Sequence, residues 1–174
     1  EDVENSVDLA DESIKDFIKF VHGETISLTE ENVCHLNYLG TRFQIFPLIS
    51  LTKDYISEHM NDIALSILLI HQNDPTFDFS FYEEIISDHF IKYLKDENLL
   101  KLKIPSINRI MTKYELKNKG KKSESDNDKI INFLFSCLDT FGIKASPLFT
   151  HVDFGEMKNE YIKKGYSLND RVGI

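Results

Sequence analysis

"GETISLTEENVCHLNYLGTRFQIFPL", Gly23 to Leu48, is the stretch whose reading decides the fold. His22-Gly23 closes a helical pattern, since glycine tolerates the left-handed backbone that ends many helices. "ETISL", Glu24 to Leu28, alternates polar and apolar residues and suits a short edge strand or an extended connection. Thr29 is a good N-cap, with Glu30 and Glu31 placed where the helix dipole favours negative charge. Val33, Leu36, Leu39 and Phe43 recur at helical spacing and predict one inward face. Pro47 suits the first turn of a further helix carrying Leu48, Ile49, Thr52, Tyr55 and Ile56 on one stripe.

The same pattern extends in both directions. Residues 1–11 are acidic and aperiodic and read as a loose lead-in. A helix capped near Asp11 or Ser13 then presents Ile14, Phe17, Ile18 and Val21. Downstream, Asn61 can cap a helix over Asp62 to His71, so apolar that it must be largely buried. Asp74-Pro75 breaks the chain, and Ser80 to Glu83 matches a capping box. The helix it opens carries Tyr82, Ile85, Ile86, His89, Phe90 and Tyr93. Asp96 can cap a single turn holding Leu99 and Leu100, and Pro105 opens a helix with Ile107, Ile110, Met111 and Tyr114 inside. Residues 117–128 contain no hydrophobic residue and read as a loop or insertion. Ile130, Leu134, Cys137, Leu138 and Phe141 share a face that ends at Gly142. Ser146-Pro147 and Asp153 read as two more helix starts, and residues 166–174 as a tail or linker. About eight helices with short connections predict a mainly α fold with at most one short edge strand.

Bulk properties narrow the function classes. At 174 residues the chain suits one ordinary domain or two small ones. Its 41% hydrophobic and 28% charged residues place it in the soluble globular class. A net charge of −9 argues against phosphate-driven nucleic-acid binding and against an anionic membrane surface. No apolar run approaches the roughly 20 residues of a membrane-spanning helix. Cys34 and Cys137 lie far apart in helical patterns, which suits a reducing compartment, the cytoplasm or the nucleus. The chain opens at Glu1 without a leader-like apolar region and reads as cut from something longer.

Chemistry-bearing motifs are scarce. The sequence lacks a glycine-rich phosphate loop, a G-x-S-x-G elbow and an H-E-x-x-H helix. Cys34 and His35 are adjacent, but helical neighbours point roughly 100° apart, so adjacency does not pair them. The expectation is Cys34 at a core margin and His35 exposed. His22, His35, His59, His71, His89 and His151 are scattered without metal spacing, and His89 sits on an apolar stripe. The reading is a non-enzyme without cofactor or metal. An enzyme would need a polar pocket built from residues such as His89, Glu83 and Tyr114.

Asp16 to Met60 resembles the second half of a BTB/POZ domain. The likeness is carried by Phe17 to Gly23, the extended Thr25 to Leu28, the Thr29 to Asn32 cap, Phe43-Gln44-Ile45, and the closing helix Leu48 to His59. Residues 61–165 are similar to a BACK domain, through "NDIALSILLIHQND" and "DENLLKLKIPSINRIM". The boundaries implied are a BTB part over 12–60 and a BACK-like part over 61–165. The β-rich front half of BTB is absent, so the homodimer it builds is expected only where that half precedes this chain.

The resemblance implies a protein-interaction module, with a cullin scaffold of a ubiquitin ligase among its partners. Leu28 and Glu30 match the hydrophobic-x-acidic contact element, with Tyr55 and His59 on the helix beside it. The bland alternative is that Leu28 packs inward and Glu30 only complements the helix dipole. A further alternative is a structural spacer that positions flanking domains, such as the ankyrin repeats of some protist relatives of similar composition.

Overall fold

The structure, a computed structural model, describes residues 9–119 and 123–152. It is mainly α, as the periodicity predicts, and the described residues contain no strand. Glu24 to Leu28 is an extended connection and takes no part in a sheet. The chain divides after Ile85 into two compact units. That division lies beyond residue 60, where the resemblance places its domain boundary.

The first unit holds α1 (Asp11–Val21), α2 (Val33–Arg42), α3 (Phe46–Glu58) and α4 (Met60–His71). Two helices end in the same backbone device. At the end of α1, the Gly23 N–H donates to the Phe20 carbonyl and the Glu24 N–H to the Lys19 carbonyl, each at 3.0 Å, with Gly23 at φ 80°. At the end of α2, the Gln44 N–H donates to the Thr41 carbonyl at 3.2 Å and the Ile45 N–H to the Gly40 carbonyl at 2.8 Å. Both are Schellman caps, which satisfy carbonyls that a helix end leaves open. Gln44 takes its left-handed position at φ 57° without being glycine, a conformation that costs an L-residue about 1–2 kcal/mol.

Thr29 does not cap α2 as expected: it forms a reciprocal turn with Asn32, which is itself the N-cap, so Glu30 and Glu31 lie ahead of the helix's first turn. The Thr29 N–H donates to Asn32 Oδ1 at 2.9 Å, and the Asn32 N–H to Thr29 Oγ1 at 3.3 Å. The regular α-helix starts only after this turn, at Val33. The Asn37 amide donates to Thr52 Oγ1 at 2.9 Å, which ties α2 to α3. A Cβ on Gly40 would lie 3.3 Å from Ile49 Cγ1, so the two backbones approach closely there. Val33, Cys34, Ile63, Ile67 and Ile70 form one buried cluster of this unit, with Leu28, Tyr55, Ile56 and Met60 packed around it. α4 begins at Met60, ahead of the expected Asn61 cap.

α5 runs from Ser80 to Asp88. Ser80 is already helical, and its N–H donates to Asp78 Oδ1 at 2.9 Å, so Asp78 serves the helix start where Ser80 was expected to cap. The second unit contains α6 (Phe90–Tyr93), α7 (Ile104–Asn118), α8 (Glu124–Phe141), and 3₁₀ segments at Glu97–Lys101 and Gly142–His151. The Asp96 carboxylate accepts from the Asn98 N–H at 2.9 Å, as expected of a cap. Phe90 packs on Tyr114 and Phe133, with ring centroids 5.1 and 6.0 Å apart. Buried Ile107, Ile110, Met111, Leu134 and Cys137 follow the expected spacing.

The second unit also brings corrections. The loop expected over 117–128 is shorter, because α7 continues to Asn118 and α8 starts at Glu124. Ser123 caps α8, its Oγ accepting from the Asp126 N–H at 3.1 Å, so a polar run formed a helix start. Ser146-Pro147 lies within the 3₁₀ segment and opens no separate helix. His151 anchors that segment to α7, with Nδ1 2.7 Å from Glu115 Oε2 and Nε2 2.9 Å from Asn108 Oδ1. The helix expected at Asp153 and the tail at 166–174 lie outside the described residues, as does most of the 1–11 lead-in.

Candidate functional site

α1 packs on α2 through its polar edge. Ser13 is 2% exposed and shares a 3.0 Å hydrogen bond with His35 Nδ1. His35 is therefore half-buried, against the expectation of an exposed imidazole. The Asn32 amide donates to Asp16 Oδ2 at 3.0 Å and to the Ser27 carbonyl at 2.9 Å. These bonds fix the rotation of α1. They turn Ile14, Ile18 and Val21 outward, where they are 37%, 50% and 56% exposed.

The outward stripe joins a second apolar feature. Phe17 packs on Phe43 with ring centroids 5.4 Å apart. Phe43, expected on the inward face of α2, is instead 59% exposed. It occupies the C-cap position of α2, where the Schellman turn lifts the chain away from the helix face. Phe46, at the start of α3, is 75% exposed.

The segment that carries α1 and the turn after it has one sign of charge in excess. Residues 11–31 hold six carboxylates, Asp11, Glu12, Asp16, Glu24, Glu30 and Glu31, against two lysines. Lys15 pairs with Glu12 at 2.7 Å and Lys19 with Asp16 at 2.9 Å. The segment therefore carries net negative charge.

Of the residues that the resemblance singled out, Leu28, half-buried, and Tyr55 both pack against the cluster of Val33, Cys34, Ile63, Ile67 and Ile70. Glu30 is exposed. Tyr55 stacks on His59 with centroids 4.1 Å apart, and His59 Nδ1 lies 3.0 Å from the Tyr55 carbonyl. Tyr55 and His59 thus form a local pair, while Leu28 turns its side chain to the core. His89, expected on an apolar stripe, is exposed, and Tyr114 is buried against Phe90.

The first unit also contains a cavity of about 740 Å³. Cys34, Ile56, Ile67 and Ile70 supply apolar lining, and Arg42, Lys53 and Asn37 add polar groups. Tyr38, His71, Phe77 and Tyr82 make an aromatic wall, with His71 stacked on Phe77 at 4.2 Å and Phe77 on Tyr82 at 5.4 Å. Burial pushes the Cys34 thiol up to about 12, so it is an inert thiol at neutral pH. Burial lowers the His71 pKa, with nearby Asp74 opposing the shift. The aromatic-rich run Phe77 to Tyr82 was the sequence signal for this wall. The cavity itself depends on helix placement and had none.

Among the described residues, no group of three or more His, Cys, Asp or Glu side chains could hold a metal ion. No helix among them is long and apolar enough to cross a membrane. No family model, curated protein or solved structure matches the chain.

Proposed function

We propose that this chain is a non-enzymatic protein-interaction module whose docking face is the open stripe of α1 with the Phe17–Phe43 pair. Its partner is an amphipathic helix bearing Lys and Arg beside its apolar residues. The observation that carries the reading is the outward rotation of Ile14, Ile18 and Val21. Their spacing, one residue then four and seven further on, is the anchor pattern of helix-on-helix recognition. Single exposed apolar residues need no explanation, but a stripe continuous with an aromatic pair does. A spacer calls for no such stripe. The acidic segment 11–31 and the net charge of −9 favour basic flanks and oppose pairing with a second copy of this chain.

The test is selection from a displayed library of helical peptides, with Ile18→Asp protein as the counter-selection. Enriched peptides are expected to carry apolar residues at helical spacing with flanking Lys and Arg. Recovery of the same peptides on Ile18→Asp protein, or no enrichment at all, overturns the reading. The narrower cullin-adaptor version rests on Leu28 and Glu30. It is measured by binding of a cullin N-terminal region to the protein and to the Leu28→Ala, Glu30→Ala double variant.

A further inference from the structure

The cavity of the first unit makes a different demand from the α1 face. Its volume of about 740 Å³ falls within the range of small-molecule sites. Its wall is a continuous aromatic array. Tyr38 meets His71 edge-on at 6.0 Å, and His71, Phe77 and Tyr82 stack in sequence behind it. Rings stacked in this way cover each other's faces, so the wall offers mainly ring edges, which suit edge-to-face contact with a flat ligand body.

The cations lining the cavity are unusual in a chain of net charge −9. Arg42 and Lys53 both line it, and neither makes an ion pair among the described residues. Among the described residues Arg42 Nη1 reaches only the Tyr38 hydroxyl, at 3.5 Å. By contrast, Lys15, Lys19, Lys117 and Lys129 each pair with a carboxylate. The one carboxylate in the lining, Asp74, is engaged by Thr76, whose N–H and hydroxyl both donate to Oδ1, at 2.9 and 2.7 Å.

We infer that this cavity binds a small organic anion with a flat aromatic body and a carboxylate or phosphate head. The body lies along the Tyr38, His71, Phe77 and Tyr82 wall. The head meets Arg42, whose planar guanidinium suits a bidentate oxyanion, with Lys53 adding a second positive charge. The site is independent of the α1 face and survives if the helix-docking reading fails.

The experiment titrates the protein with 2-naphthoate, 2-naphthyl phosphate and uncharged 2-naphthamide, read by calorimetry and by amide shifts in NMR. Both anions are expected to bind, with naphthamide weaker by up to about fivefold, the range of exposed ion pairs. The tighter of the two anions identifies the head group as carboxylate or phosphate. Arg42→Gln with Lys53→Gln is expected to erase the advantage of the anions and leave naphthamide binding unchanged. Both positions are exposed, so the fold should persist, which the NMR spectrum checks directly. The inference is overturned by no binding of either anion, by equal affinity for all three compounds, or by loss of binding in Ile18→Asp, which would place the probe on α1.

Discussion

α1 and α8 carry the same kind of pattern and meet opposite fates. In α8, Ile130, Ile131, Phe133, Leu134, Phe135 and Cys137 are all buried, and the 3₁₀ segment Gly142–His151 packs on the helix. In α1 the only buried side chain is Ser13, while Ile14, Ile18 and Val21 face outward. Periodicity records that a helix has an apolar face. It does not record what lies opposite. In α1 the rotation is set by the Ser13–His35 hydrogen bond and by the Asn32 amide donating to Asp16, so the face that would ordinarily pack is left available.

The largest expected effect separates the two helices directly. Leu134→Ala removes a fully buried side chain and should cost about 2–5 kcal/mol. Ile18→Ala should cost about 0.5 kcal/mol or less, as an exposed position. Urea unfolding of the two variants measures the contrast, and comparable losses would mean that the α1 stripe is covered after all.

Asn32→Ala attacks the device that sets the rotation. It removes the bond that the Thr29 N–H donates to Asn32 Oδ1 and the links to Asp16 and the Ser27 carbonyl. A loss of about 1–3 kcal/mol is expected from a buried polar group with several partners. Amide exchange should also rise selectively in α1. A uniform rise across the first unit would deny Asn32 its special hold on that helix.

Gln44→Gly tests the turn that brings Phe43 outward. Relief of the left-handed glutamine at φ 57° should stabilise the protein by about 1 kcal/mol. Phe43 should remain exposed, since the Schellman bonds involve only backbone. A destabilised variant would show that the Gln44 side chain makes a contribution larger than its backbone strain.

The smallest effect is a pH dependence in the first unit. Burial lowers the His71 pKa below its ordinary 6.5, so the unfolded chain takes up the proton first. His71 therefore exerts no drag above pH 6.5, and stability declines as pH falls from there through the lower folded value. His71→Phe retains a ring to stack on Phe77 and should lose that decline. Unfolding curves at stepped pH, read above the range where carboxylates titrate, compare the two proteins.

The two Schellman ends show how much was legible. Gly23 announced itself, because glycine at the end of an apolar pattern has a local reason. Gln44 gave no such sign, since its left-handed backbone follows from where α3 must begin. Buried positions such as Leu36, Leu48, Ile110 and Leu134 were readable from spacing alone. Phe43 and His89 fitted the same spacing and proved exposed, because each sits where its helix ends. Lys117 to Asp128 misled for the converse reason. Solvated helix ends need no apolar residues when a serine cap and surface pairs such as Lys129 with Asp126 serve them.

The sequence by itself determined the helical class, the Gly23 and Gly142 ends, the Asp96 cap, and which residues have the chemistry to fill a core. These are properties of neighbours within a few positions of each other, and the chain writes them locally. Only the tertiary structure decided which apolar face is covered, which cations gather at one cavity, and which of two amphipathic helices keeps its stripe in water. Those outcomes depend on partners distant in the chain, such as Ser13 with His35 or Tyr38 with His71. Hydrogen bonds and packing between such residues select a single rotation of each helix, and periodicity is blind to that choice.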